Sequence, residues 1–196
     1  MLSNLLKDKK IILGSASPRR QELLRSIIND FEIKISDLKE KYPKNLKGKE
    51  ISEFLAIQKS DVFSIKIKTN EILITADTIV IKGERILNKP ENKTQAKEML
   101  AFLSDSDHKV ITSVCLRDQQ KKLVFSSITK VFFKPLSDVE INYYVEKYKP
   151  LDKAGGYGIQ EWIGLIGITK IEGSYFNVVG LPIEELYQKL IQFAGL

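Results

Sequence analysis

The chain has 196 residues, enough for one large domain with its own core, and 43% hydrophobic against 29% charged residues is ordinary globular usage. A net charge of +6 favours an anionic partner, yet the lysines are spread along the chain and read as a solvated face rather than a nucleic-acid footprint. One cysteine and one histidine exclude an internal disulfide, a Cys-x-x-Cys motif and a His-rich zinc site, and no apolar run nears the roughly 20 residues of a membrane helix.

Residues 1–10 carry lysines without a following signal-peptide stretch, so a cytoplasmic location is expected. A buried strand is predicted over 10–14, then a small-residue turn and a helix over 18–29. Ser17 suits its N-cap and Pro18 its first position. Arg19 and Arg20 then fall in the first helical turn, where the macrodipole is already positive. Two cations there break a local rule, as functional sites do. Arginines beside open backbone amides suit an anion, above all a phosphate chain. The alternative is two solvated arginines on a surface helix.

A strand over 31–35 leads into a polar loop, Ser36 to Lys49, whose length suggests a function. A helix over 50–63 shows an apolar stripe of Ile51, Phe54, Leu55 and Val62. Lys59 borders that stripe, where snorkelling explains a lysine equally well. Next, Ile72 to Ile81 reads as a strand interrupted by one charge, Asp77. A carboxylate in such a run is costly unless paired or metal-bound, which suits it to a metal or an attacking water. The Lys82-Gly83-Glu84 turn joins it to a strand over 85–87, and Asn88-Lys89-Pro90 precedes a helix over 93–103.

Strands over 108–117 and 122–133 flank a turn near Asp118. Cys115 lies in the first of them as a buried structural thiol, and His108 near its start has no nucleophile-elbow motif for company. A helix over 137–148 follows. The segment Asp152 to Gln160 is glycine-dense, so its backbone can approach a ligand closely, and the Gln160 amide could read a base edge. It is not a dinucleotide fingerprint or a phosphate-binding P-loop. A strand over 163–169, the stretch Gly173 to Pro182 and a helix over 182–194, with Pro182 as its first residue, complete the chain. Hairpins among crossover helices imply an α/β fold with a mixed sheet. Any metal should be hard and oxygen-bound, Mg²⁺ or Mn²⁺.

Six segments in order carry a resemblance: Ser15-Ala16-Ser17-Pro18-Arg19-Arg20, Ser36-Asp37-Leu38-Lys39-Glu40, Ala76-Asp77-Thr78, Asn88-Lys89-Pro90, Asp152 to Gln160 and Gly173 to Pro182. Together they resemble the Maf family of nucleoside triphosphate pyrophosphatases over nearly the whole chain. The resemblance implies a single domain, 1–196, with an elongated mixed sheet flanked by helices and two lobes around a cleft. It implies cleavage of a nucleoside triphosphate to monophosphate and pyrophosphate with a divalent metal. Residue by residue it gives substrate binding to Ser17, Arg19, Arg20, Thr78, Lys89 and Gln160. Glu40 and Asp77 become the acidic pair for metal and water, with Lys59 beside them and Arg20 among the catalytic groups.

The Asp152–Gln160 segment resembles the subfamily acting on dTTP and UTP, with a nucleotide-pool house-cleaning role. No membrane partner is implied, and a homodimer is left open. The chain departs from the family at Gly14 and Ser60, where alanine is usual, and at Glu161, where glycine is common. One alternative is a non-catalytic nucleotide-binding regulator of cell division, which needs the basic surface but neither Asp77 nor Glu40. Another is a pyrophosphatase for modified or purine nucleotides.

Overall fold

A computed structural model describes residues 5–38 and 40–195. Residues 1–4 of the N-terminal stretch, Lys39 of the Ser36–Glu40 motif and residue 196 lie outside the described residues. The elements are β1 (Lys10–Leu13), α1 (Pro18–Arg25), β2 (Glu32–Ile33), α2 (Lys49–Asp61), β3 (Glu71–Lys82), β4 (Arg85–Leu87), α3 (Lys93–Leu103), β5 (Asp107–Arg117), β6 (Lys122–Phe133), α4 (Asp138–Tyr148), α5 (Trp162–Gly167), β7 (Ile168–Glu172), α6 (Tyr175–Val179) and α7 (Ile183–Ala194). Short 3₁₀ turns cover Ser64–Lys66 and Ala154–Gly156.

The strands form one seven-stranded sheet in the order β2-β1-β3-β5-β6-β7, with β4 also on β3. β1 runs parallel to β2 and β3, whereas β3–β4 and β6–β7 are antiparallel, so the sheet is mixed as expected. Among the described residues no helix is long and apolar enough to cross a membrane.

The chain divides into two compact units. The first comprises 1–77, 112–127 and 180–196. β1 and the first half of β3 are buried on both faces, which is why they read as continuous apolar runs. Ile11, Leu13, Ile72 and Ile74 turn to one side and pack with Leu24 of α1 and Leu186, Leu190 and Phe193 of α7. Ile12 and Leu73 turn to the other and pack with Ile67 and Phe63. That alternation is the period of two of a strand. On this second side the Thr75 hydroxyl donates to the Ala56 carbonyl of α2 at 2.7 Å. A buried chain of hydroxyls, Ser52 to Ser113 at 2.6 Å and Ser113 to Ser126 at 2.8 Å, ends on Glu53 at 2.7 Å and pins the start of α2.

The second unit comprises 78–111 and 128–179. α3 and α4 pack together, and Lys93 and Lys97 of α3 both pair with Glu146 of α4. Its core holds His108, 1% exposed, stacked on Phe133 and in contact with the Tyr157 hydroxyl at 2.7 Å. Burial lowers the His108 pKa to about 4. A base with a depressed folded pKa adds stability that is complete above its unfolded value and is lost as pH falls toward the folded one. The wild type should therefore lose about 3 kcal/mol between pH 6.5 and 4 from this group. Urea unfolding of wild type and His108→Gln across that range checks it; parallel stability curves for the two would refute it.

Five expectations need correction. Residues 163–167 belong to helix α5, not to a strand, and β7 begins only at Ile168. The apolar run there fits either period, and packing decides: a Cβ at Gly164 would overlap the Ile159 carbonyl, so the helix docks on that backbone through its glycine. Pro182 is the N-cap of α7, with ψ 83°, and the helix starts at Ile183. The helices expected over 18–29 and 50–63 stop at Arg25 and Asp61, and the strand expected over 31–35 shrinks to Glu32–Ile33.

Candidate functional site

The turn from β1 into α1 follows its local signals. Ser17 is the N-cap, its Oγ accepting from the Arg20 amide at 3.5 Å, and Pro18 occupies the first turn. Gly14 precedes the turn because the space is taken: a Cβ there would lie 2.7 Å from Thr75 Cγ2. The threonine methyl fills the volume that an alanine at position 14 would claim. Arg19 is half-buried at the helix start.

Arg20 points back under the helix. Its Nε donates to the Gly180 carbonyl at 2.8 Å and one terminal nitrogen donates to the Ala76 carbonyl at 2.9 Å. Burial pulls the Arg20 pKa down, against the attraction of Asp77 and Glu40 and with a smaller push from Arg19. An arginine pKa starts so high that the guanidinium stays charged regardless.

Asp77 is 5% exposed near the middle of β3. Lys59 of α2 donates to its Oδ1 at 2.5 Å and lies 2.8 Å from Glu40 Oε1. One ammonium thus joins the two carboxylates expected to act as a pair. The polar loop brings Glu40 to Lys59, and α2 delivers Lys59 because Ser52 and Ala56 anchor that helix to β5 and β3. Burial raises the Asp77 pKa above the ordinary carboxylate range, opposed by Lys59 and Arg20, while Glu40 adds to the rise. A carboxylate so placed is a better base than an exposed one.

A family model described as Maf-like protein matches residues 10–193. The chain belongs to that family. A dTTP/UTP pyrophosphatase of Flavobacterium johnsoniae is 50% identical over 190 residues, 97% of this chain and 98% of that one. Proteins of the same name from Christiangramia forsetii and Parabacteroides distasonis are also 50% identical, over 97% and 98% of this chain and 97% and 100% of theirs.

In this Maf-like chain the first unit holds Ser17, Arg19, Arg20, Glu40, Lys59 and Asp77, and the structure brings Arg20, Glu40, Lys59 and Asp77 into one charged cluster. Thr78, Lys89 and Gln160 belong to the second unit. There Lys89 and Gln160 are exposed, and the Asn88 carbonyl accepts from Gly155 at 3.2 Å, tying two of the quoted segments together.

The stretch Gly173–Pro182 contains helix α6, which sequence reasoning did not anticipate. Its Asn177 is fully buried and donates to the Val110 carbonyl at 3.0 Å and to Thr129 Oγ1 at 2.9 Å. An asparagine amid valines and aromatics was the available signal. Cys115 is buried as expected, and burial raises its pKa, so the thiol stays protonated and inert.

Proposed function

We propose that this chain hydrolyses dTTP and UTP to the monophosphate and pyrophosphate. The observation that carries the reading is the Lys59 ammonium held between Glu40 and Asp77, 2.8 Å from the first and 2.5 Å from the second, in a cluster with Arg20. The names of the relatives supply the nucleotide class.

Among the described residues no group of three or more His, Cys, Asp or Glu side chains is placed to hold a metal ion. Mg²⁺ or Mn²⁺ needs only one or two carboxylates when substrate phosphates and water complete its shell. Glu40 would hold it, leaving Asp77 to the attacking water. When bound, such an ion would offset the charge that builds up on the phosphates.

The chain's own residues do the rest. Arg19 at the start of α1 binds phosphate oxygens. Arg20 lies behind it as a fixed positive charge, because two backbone carbonyls set its orientation. Water attacks the α-phosphorus, the bond to the bridging oxygen breaks and pyrophosphate leaves. The water's proton passes to Asp77 Oδ2, since Lys59 takes Oδ1. Lys59 keeps Asp77 ionised despite its burial and holds Glu40 at the same point. Thr78, Lys89 and Gln160 complete the substrate contacts, with Gln160 reading the base. A cytoplasmic enzyme fits this role.

Purified protein should release pyrophosphate from UTP and dTTP with Mg²⁺ or Mn²⁺, and prefer them to CTP, GTP and 7-methyl-GTP. Orthophosphate as product, or no product with any divalent ion, would overturn the reaction. A preference for a guanine nucleotide would overturn the base assignment alone.

A further inference from the structure

We propose that Tyr144, Glu161 and Lys153 form a clamp that fixes the Asp152–Gln160 segment and thereby sets the base selectivity of this chain. The inference rests on Gln160 as the base-reading residue. All three are positioning residues, and none belongs to the segments that carry the family resemblance except Lys153.

The clamp is built around a fully buried phenol. The Tyr144 hydroxyl accepts from the Gly158 amide at 3.0 Å and donates to Glu161 Oε2. Burial and the Glu161 carboxylate push this phenol far above the usual tyrosine range, so it remains a donor. The second Glu161 oxygen lies 3.1 Å from Lys153 Nζ, and that ammonium lies 2.7 Å from Asp152 Oδ1. A lysine 8% exposed is costly to bury unless carboxylates hold it, and here two do. Gly158 lies against the same side chains: a Cβ there would sit 2.9 Å from Glu161 Cδ and 3.1 Å from Lys153 Cε, so both side-chain ends would have to shift.

The near end of the segment is fixed separately. Gly155 adopts φ +73° against Val80 and donates to the Asn88 carbonyl. At the far end, Gln160 is exposed and lies one residue before the clamped Glu161. Glu161 therefore spends its charge inside the clamp instead of presenting it beside the base.

Selectivity needs this rigidity for a chemical reason. A glutamine amide carries a donor and an acceptor on one rotatable group. Rotated, it serves a uracil edge or a cytosine edge alike. Only a fixed backbone with fixed neighbouring amides makes the wrong base leave polar groups unpaired.

The test compares full-length wild type, Tyr144→Phe, Glu161→Ala and Glu161→Gln. Hydrogen exchange reads the 152–161 backbone without nucleotide, and kcat and KM are measured for UTP and CTP. Tyr144→Phe should speed exchange in that segment and cut the UTP-over-CTP ratio of kcat/KM about tenfold, the loss of one charge-assisted hydrogen bond. The change should fall on KM, with kcat for UTP nearly kept. Glu161→Ala should do the same if Tyr144→Phe fails to fold, and Glu161→Gln, which keeps an acceptor for Tyr144, should restore most of the selectivity. Unchanged selectivity or unchanged exchange in folded variants overturns the clamp alone. A wild type that cleaves neither nucleotide overturns the functional reading and the clamp's role with it.

Discussion

Asp77→Asn should lower kcat by about 10²–10⁴-fold, the usual contribution of a positioned base, without lowering stability. The structural reason lies in the sign of the Asp77 shift. Burial raises its folded pKa, so its contribution to stability is complete below the unfolded value and is lost as pH rises through the folded one. At neutral pH the wild type carries a buried charge at a cost, although Lys59 and Arg20 reduce it. Asparagine never ionises and is nearly the same shape, and Lys59 keeps Glu40 at 2.8 Å. Melting temperatures at pH 5 and pH 8 should show the variant equal to or above the wild type, with its advantage larger at pH 8. The raised pKa also places the acidic limb of the wild-type rate profile above the ordinary carboxylate range. Near-normal turnover in this variant would remove Asp77 from the mechanism, and a large fall in melting temperature would make it a structural carboxylate.

How much was legible in the chain depends on the range of the interaction. Ser17 and Pro18 announce α1 because capping is decided within one turn, and Asn92 likewise caps α3 by accepting from Gln95 at 2.9 Å. The Asp118 turn was visible for the same reason, its carboxylate accepting from Gln120 and Lys121 at 2.7 and 2.8 Å. The α5 helix was not visible, since Ile163-Gly164-Leu165-Ile166-Gly167-Ile168 fits a strand equally well until Ile159 is known to lie beneath it. The polar residues tell a similar story. Asp77 stood out because a charge inside an apolar strand is costly. Lys59 did not, because its position on the edge of a helical stripe is also where a snorkelling lysine sits; only the fold sets its ammonium between Asp77 and Glu40. The serine chain that holds α2 was equally silent, since Ser52, Ser113 and Ser126 meet only when β5 and β6 are paired beneath the helix.

The two neighbouring arginines should separate in the laboratory. Sequence reasoning gives both a phosphate contact and adds only Arg20 to the catalytic groups. The structure gives Arg20 two backbone carbonyls, Ala76 on β3 and Gly180 before α7, so it ties the strand that carries Asp77 to the C-terminal segment. Removing it leaves both carbonyls without that donor and takes one favourable charge from buried Asp77. Arg20→Ala should therefore cost about 3 kcal/mol and lower the melting temperature by about 6–12 °C, with activity lost as well. Arg19→Ala should behave differently. Arg19 disfavours the charge on Arg20, so its removal relieves a repulsion, and stability should fall by clearly less than in Arg20→Ala. Its loss should appear in kcat/KM, about 10–100-fold, as expected of a charge-assisted phosphate contact. Arg20→Lys sharpens the comparison, because an ammonium keeps the charge but cannot span both carbonyls. It should recover less than half of the lost stability. Equal melting curves for Arg19→Ala and Arg20→Ala would show that the Ala76 and Gly180 bonds contribute nothing to holding the site together.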